Sequence, residues 1–147
     1  MYYSSELANT GYTSPSDGYV RLDFPGGWAT DKVNKFEAAG RTEKDNLIWN
    51  HIAALANFRK TSSALSTGKM MQYVPEDGLY VYFRYDAKQT IMIVMNTSKV
   101  EKKIIPAKYE ERVKGFSNYY DVLGKTIMPL KDFQLGSYKT IVFELRK

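Results

Sequence analysis

The chain has 147 residues, enough for one ordinary domain or for a small domain with part of another. It is 44% hydrophobic and 25% charged, lacks cysteine and carries one histidine, which excludes disulfides and argues against a zinc site. The net charge of +5 raises nucleic-acid binding, but the densest basic stretch, Lys99–Lys114, is interrupted by Glu101, Glu110 and Glu111 and reads as a solvated face.

Residues 1–41 read as an extended loop punctuated by Gly11, Pro15, Gly18, Pro25, Gly26, Gly27 and Gly40. A stretch of this length without regular structure is usually functional, or belongs with a partner. The first residues show neither the basic nor the apolar region of a secretory leader, and no apolar run approaches the ~18 residues of a membrane span. Six aromatic residues, Tyr2, Tyr3, Tyr12, Tyr19, Phe24 and Trp28, share the loop, so it should line a ligand cleft or pack on other protein.

A helix is expected over 43–59. Thr42 is a suitable N-cap, with Asp45 as its capping-box partner. Leu47, Ile48, Ile52, Leu55 and Phe58 make an apolar face, and Arg59 and Lys60 suit the C-terminal end of the helix dipole.

From Gly68 the hydrophobic period changes to two. Strands are expected at Gly68–Val74, Leu79–Tyr85, Thr90–Asn96, Glu101–Ile105, Tyr119–Leu123 and Tyr138–Leu145. Thr126–Leu130 is a weaker one, confined to an edge by Pro129. Pro75–Gly78 reads as a turn, and Thr90–Asn96, apolar on both faces, as a central strand. Six to eight short strands imply an antiparallel sandwich over 67–147, preceded by a helical part over 1–66.

Candidate chemistry is sparse. His51 sits at the border of the helix's apolar face and reads as a hydrogen-bonded boundary residue rather than a general base. Gly26-Gly27 lacks the spacing of a phosphate loop and reads as a tight turn that places Trp28. The loop acids Glu6, Asp17, Asp23 and Asp31 could face a cleft and supply a glycosidase-like carboxylate pair, but base rates favour solvated or capping roles for them.

Several segments, in order, resemble one family. Tyr2-Tyr3-Ser4-Ser5-Glu6 resembles the Y-Y-G-[ST]-E at the end of the last barrel strand of α-amylase family (glycoside hydrolase family 13) enzymes, with Ser4 where Gly is usual. Arg21-Leu22-Asp23-Phe24-Pro25-Gly26-Gly27-Trp28 resembles the R-x-D-F-P-G-G-W of neopullulanase and cyclomaltodextrinase relatives, especially those of starch-utilising Bacteroidetes. Asn34-Lys35-Phe36 with Gly40-Arg41-Thr42 is similar to the lead into the last barrel helix. Phe58-Arg59-Lys60 and Ala64-Leu65 fit that helix's end, and Tyr80–Tyr85 is similar to the β-domain that follows. Asn50-His51-Ile52 is only superficially like the family's N-H-D motif, since it lies mid-helix with Ile in the Asp position.

The resemblance implies that 1–66 is the last loop and helix of a catalytic (β/α)₈ barrel, and that 67–147 is the C-terminal β-sandwich. The nucleophile, acid/base and stabilising Asp of such a retaining enzyme precede the Tyr2-Tyr3 segment, so no catalytic or metal-binding residue is assigned to this chain. Arg21, Asp23, Phe24 and Trp28 are the expected substrate contacts, on a loop bordering the cleft. The partner is an α-glucan oligosaccharide, reached through the parent enzyme, with no nucleic acid and no membrane insertion. No cofactor is expected in this part, although the resemblance admits calcium in the parent and a periplasmic, Gram-negative setting. The uncovered helix face should drive self-association. The rival reading is a stand-alone carbohydrate-binding β-sandwich module.

Overall fold

The computed structural model describes residues 4–147; Tyr2 and Tyr3 lie outside the described residues. The chain divides into two compact units, Met1–Ala54 and Leu55–Lys147. The change of hydrophobic period places the border at 66/67. The structural border lies earlier because Phe58 and Leu65 pack with Ala64, Ile91 and Ile93 in one cluster of the β-unit.

The first unit is mostly irregular. Its described regular pieces before residue 43 are two short 3-10 turns, Asp17–Val20 and Ala38–Gly40. Helix α1 then spans Glu43–Thr61. The capping box is present in full: Thr42 N donates to Asp45 Oδ2 at 2.9 Å and Asp45 N to Thr42 Oγ1 at 3.2 Å. Ile48, Ile52, Leu55 and Phe58 are half-buried, but Leu47 is 68% exposed and leaves the expected face. The stripe centres on Ile48, Ile52 and Leu55, so Leu47 falls beyond its border in line with His51. Among the described residues of α1 only Asp45 is buried. No helix among the described residues is long and apolar enough to cross a membrane.

The second unit is an antiparallel β-structure. A short helix α2 (Ser63–Ser66) leads into β1 (Lys69–Gln72), β2 (Leu79–Tyr85) and β3 (Thr90–Asn96). Then come β4 (Lys102–Ile104), a 3-10 turn at Pro106–Tyr109 that runs into α3 (Glu110–Val113), β5 (Asn118–Asp121), β6 (Ile127–Pro129), β7 (Phe133–Leu135) and β8 (Thr140–Arg146). Six strands form one sheet in the order β1-β2-β3-β8-β5-β6, and β4 pairs with β7 in a two-stranded ribbon. Every pairing is antiparallel, and β6 is an edge strand, as Pro129 requires.

The β1–β2 connection is an Asp-Gly turn. Asp77 and Gly78 both have positive φ, and Glu76 and Leu79 exchange backbone hydrogen bonds of 3.0 and 2.8 Å. Strand β3 is central and buried on both faces. Met92 and Val94 enter the main core with Phe83, Tyr119, Phe143 and Leu145, and the ribbon and 106–113 segment close it with Ile104, Leu135, Tyr109 and Val113. Ile91 and Ile93 face the other way, onto Ala64, Leu65 and Phe58. Two buried faces on one strand explain its uninterrupted apolar sequence.

Candidate functional site

The aromatic loop of the first unit is built on Asn34. A Cβ on Gly26 would lie 2.4 Å from Asn34 Oδ1, and one on Gly40 would lie 1.9 Å from the Asn34 carbonyl oxygen. Only glycine lets the chain pass on either side of this residue, and Gly26 (φ +125°) and Gly27 (φ +101°) also adopt backbone conformations that side chains disfavour. Lys35 N donates to the Pro25 carbonyl at 2.8 Å, and the Phe36 ring stacks on Phe24 with centroids 4.2 Å apart. The Pro25–Trp28 turn is thereby held against the Asn34–Phe36 segment.

Arg41 fastens that segment to α1. Its Nε donates to Asn46 Oδ1 at 2.8 Å, and a terminal nitrogen donates to the Lys35 and Phe36 carbonyls at 3.0 and 3.1 Å. Its guanidinium also lies 4.1 Å from the centre of the Trp49 ring.

Asp45 is the electrostatic centre of the unit and is 1% exposed. Beyond closing the capping box it pairs with Lys35 Nζ at 2.9 Å and accepts from Ala8 N at 2.9 Å. The Lys35 ammonium, helped by the Ala8 and Thr42 amides, outweighs the cost of burial and holds its carboxyl well below the usual range. One buried carboxylate thus gathers the 4–8 turn, the 34–36 segment and the start of α1. From sequence it was legible only as a cap. Its partners stand 37 and 10 residues away (45 − 8 and 45 − 35), and nothing in a spacing pattern announces them.

The four expected contact residues take different settings. Arg21 pairs with Asp17 across one turn, and both are exposed. Asp23 is exposed. Phe24 is half-buried, with one ring face spent on Phe36. Trp28 is 77% exposed, its backbone N–H fixed by Asp31 Oδ2 at 3.1 Å. Among the described residues no hydrogen bond, ion pair or ring contact joins the four into one cluster. Asp17 and Asp31 serve local contacts. His51 is exposed and makes none of the hydrogen bonds found among the described residues, so the boundary role expected of it is corrected. Tyr12 and Tyr19 are exposed as well.

Comparison with known proteins extends this picture. Residues 70–144 match the family described as cyclo-malto-dextrinase C-terminal domain. Among solved structures, an α-amylase from Anoxybacillus superposes with a TM-score of 0.70 at 18% identity, covering 99% of this chain and 28% of that one. The acarbose complex of an α-amylase from Geobacillus thermoleovorans gives 0.69 at 18% identity, covering 100% and 29%. A maltogenic amylase from S. marinus gives 0.64 at 15% identity, covering 99% and 17%. At these identities the likeness is one of fold, and the chain spans less than a third of the length of each of these proteins.

Proposed function

The chain belongs to the cyclo-malto-dextrinase C-terminal domain family, and from that membership we propose that it is the C-terminal part of an enzyme that hydrolyses α-glucans, itself without catalytic residues. The carrying observation is the match over 70–144, which runs from within β1 to within β8. Likeness of fold to α-amylases over nearly the whole chain supports the same reading for 1–66, as the last loop and helix of a barrel. The parent would be of neopullulanase type and act on maltooligosaccharides, pullulan or cyclodextrins, with the sandwich stabilising its barrel.

Within this reading the Arg21–Trp28 loop borders the substrate cleft. Trp28 is its best-placed ring for stacking on glucose, since it is exposed while its backbone is held. Phe24 and Arg21 shape the loop through Phe36 and Asp17, and Asp23 is free to meet hydroxyls from its exposed position. The apolar stripe of α1, half-buried at best, is in keeping with a helix whose packing partner lies elsewhere in a longer protein.

The test is hydrolysis. The purified chain should release no reducing sugar from maltooligosaccharides, pullulan or cyclodextrin, whereas the longer protein should. In that longer protein Trp28→Ala should raise KM about three- to tenfold with little change in kcat, as loss of one stacking contact implies. Turnover by the chain alone would overturn the proposal.

A further inference from the structure

A cleft of about 470 Å³ opens in the second unit between the β1–β2 hairpin and the 102–109 segment. Its volume lies within the range of small-molecule sites. Part of its lining is apolar and aromatic, with Tyr73, Leu79, Ile105 and Tyr109. Tyr73 is fixed there: its hydroxyl donates to Glu111 Oε1 at 2.7 Å, and its ring meets Tyr109 edge-on at 4.8 Å.

The rim carries charge of both signs, from Glu76, Asp77, Lys102, Lys103 and Lys108. Lys102 pairs with Asp77, and Lys103 pairs with Asp132 at 2.9 Å. Two of the three ammoniums are thus neutralised, which removes the concentrated positive field a polyanion would need. Glu76 and Lys108, both exposed, make no ion pair among the described residues, and they offer one acceptor and one donor group to a ligand. An apolar wall with a mixed donor–acceptor rim matches a pyranose, whose C–H faces are apolar and whose edge is a ring of hydroxyls that both donate and accept.

We propose that this cleft is a second, non-catalytic glucan-holding site, lying wholly within the β-unit. Its ligand class rests on the reading given above; its existence rests on the cleft itself. Such a site retains an oligosaccharide without cleaving it and raises the local concentration of chain for a linked active site.

Titration of the isotope-labelled full chain with maltoheptaose, followed by amide NMR, tests it. Saturable shifts are expected for Tyr73 and Lys108. Lys108→Ala and Glu76→Ala should each weaken binding about fivefold, the loss of one hydrogen bond, while Lys131→Ala should not. The dispersion of each variant's spectrum reports its fold. Inorganic phosphate, titrated separately, should leave the same amides unmoved. Unmoved amides under maltoheptaose overturn the proposal and leave the hydrolase reading intact, and saturation by phosphate alone overturns it in favour of an anion site. Cleavage of maltoheptaose by the chain would sink the reading above, and the two variants would still decide the fate of the cleft.

Discussion

Asp45 shows how one side chain can carry more than its sequence position suggests. A buried carboxylate is tolerated only when its oxygens are paired, and here Lys35, Ala8 and Thr42 supply the partners. Asp45→Asn keeps the shape, removes the charge and leaves the Lys35 ammonium, 17% exposed, without its counter-ion. The first unit should lose about 3 kcal/mol, measured by chemical denaturation, because breaking one half of a buried pair costs more than the pair contributes. The same carboxyl sets a pH window. Its value in the fold lies below the ordinary 3.8, so the unfolded chain binds the proton more tightly. The stabilisation is therefore present above pH 3.8 and is lost as pH falls below it. Thermal melts between pH 7 and pH 2.5 should show that loss in the wild type and a flatter profile in Asp45→Asn. Ser4 is another residue whose cost is visible. It adopts φ +59° in a turn closed by Leu7 N donating to its carbonyl, at the position where the resembling motif carries Gly.

Among the elements, the two-stranded ribbon depends on a single buried amide. Asn96, at the end of β3, is 2% exposed. Its Nδ2 donates to the carbonyls of Val100, Leu135 and Gly136, and its Oδ1 accepts from the backbone and hydroxyl of Ser98. The end of β7 is thereby joined to the large sheet. Asn96→Ala removes the donor to these carbonyls, of which the Leu135 contact is the buried one, and should destabilise the β-unit by about 1–3 kcal/mol, seen as a lower denaturation midpoint with an unchanged slope. An unchanged midpoint would show that water takes over these contacts.

Strands β2 and β3 were legible to the residue, because β2 alternates with a period of two, β3 is an uninterrupted apolar run, and both are bounded by turn formers. The ribbon's second strand, Phe133–Leu135, was not, since three residues cannot display a period. The 106–113 segment was hidden by charge. Lys108, Glu110, Glu111 and Arg112 make half of it charged, yet Tyr109 and Val113 turn inward to close the core. At the aromatic loop, the Gly26-Gly27 turn follows from the residues, while the exposure of Trp28 does not, since an aromatic-rich loop is expected to find cover. That Phe24 would be occupied by Phe36, and Arg21 by Asp17, depends on how the loop folds back on itself.

At the level of the whole molecule, the distribution of exposed apolar surface is the main concern. Trp28, Phe36 and Leu47 are all more than half exposed in the first unit, and α1 buries none of its apolar side chains completely. Such surface is costly in water and normally meets a partner. The purified chain should therefore associate as its concentration rises, with sedimentation velocity giving a weight-average mass above the 16.9 kDa of one copy. Ile52→Glu, placed in the middle of the stripe, should shift that profile toward the monomer. A wild-type chain that stays monomeric at high concentration would mean that this face is adequately covered.

One helix runs through the border of the two units, and its last turns serve the sheet rather than the loop. Dividing the gene where the β-pattern begins, at residue 67, would therefore produce a polypeptide born without Phe58, Ala64 and Leu65, its Ile91 and Ile93 bare to solvent. A cut upstream of Leu55 keeps that lid attached, so recombinant expression of the sandwich should start there.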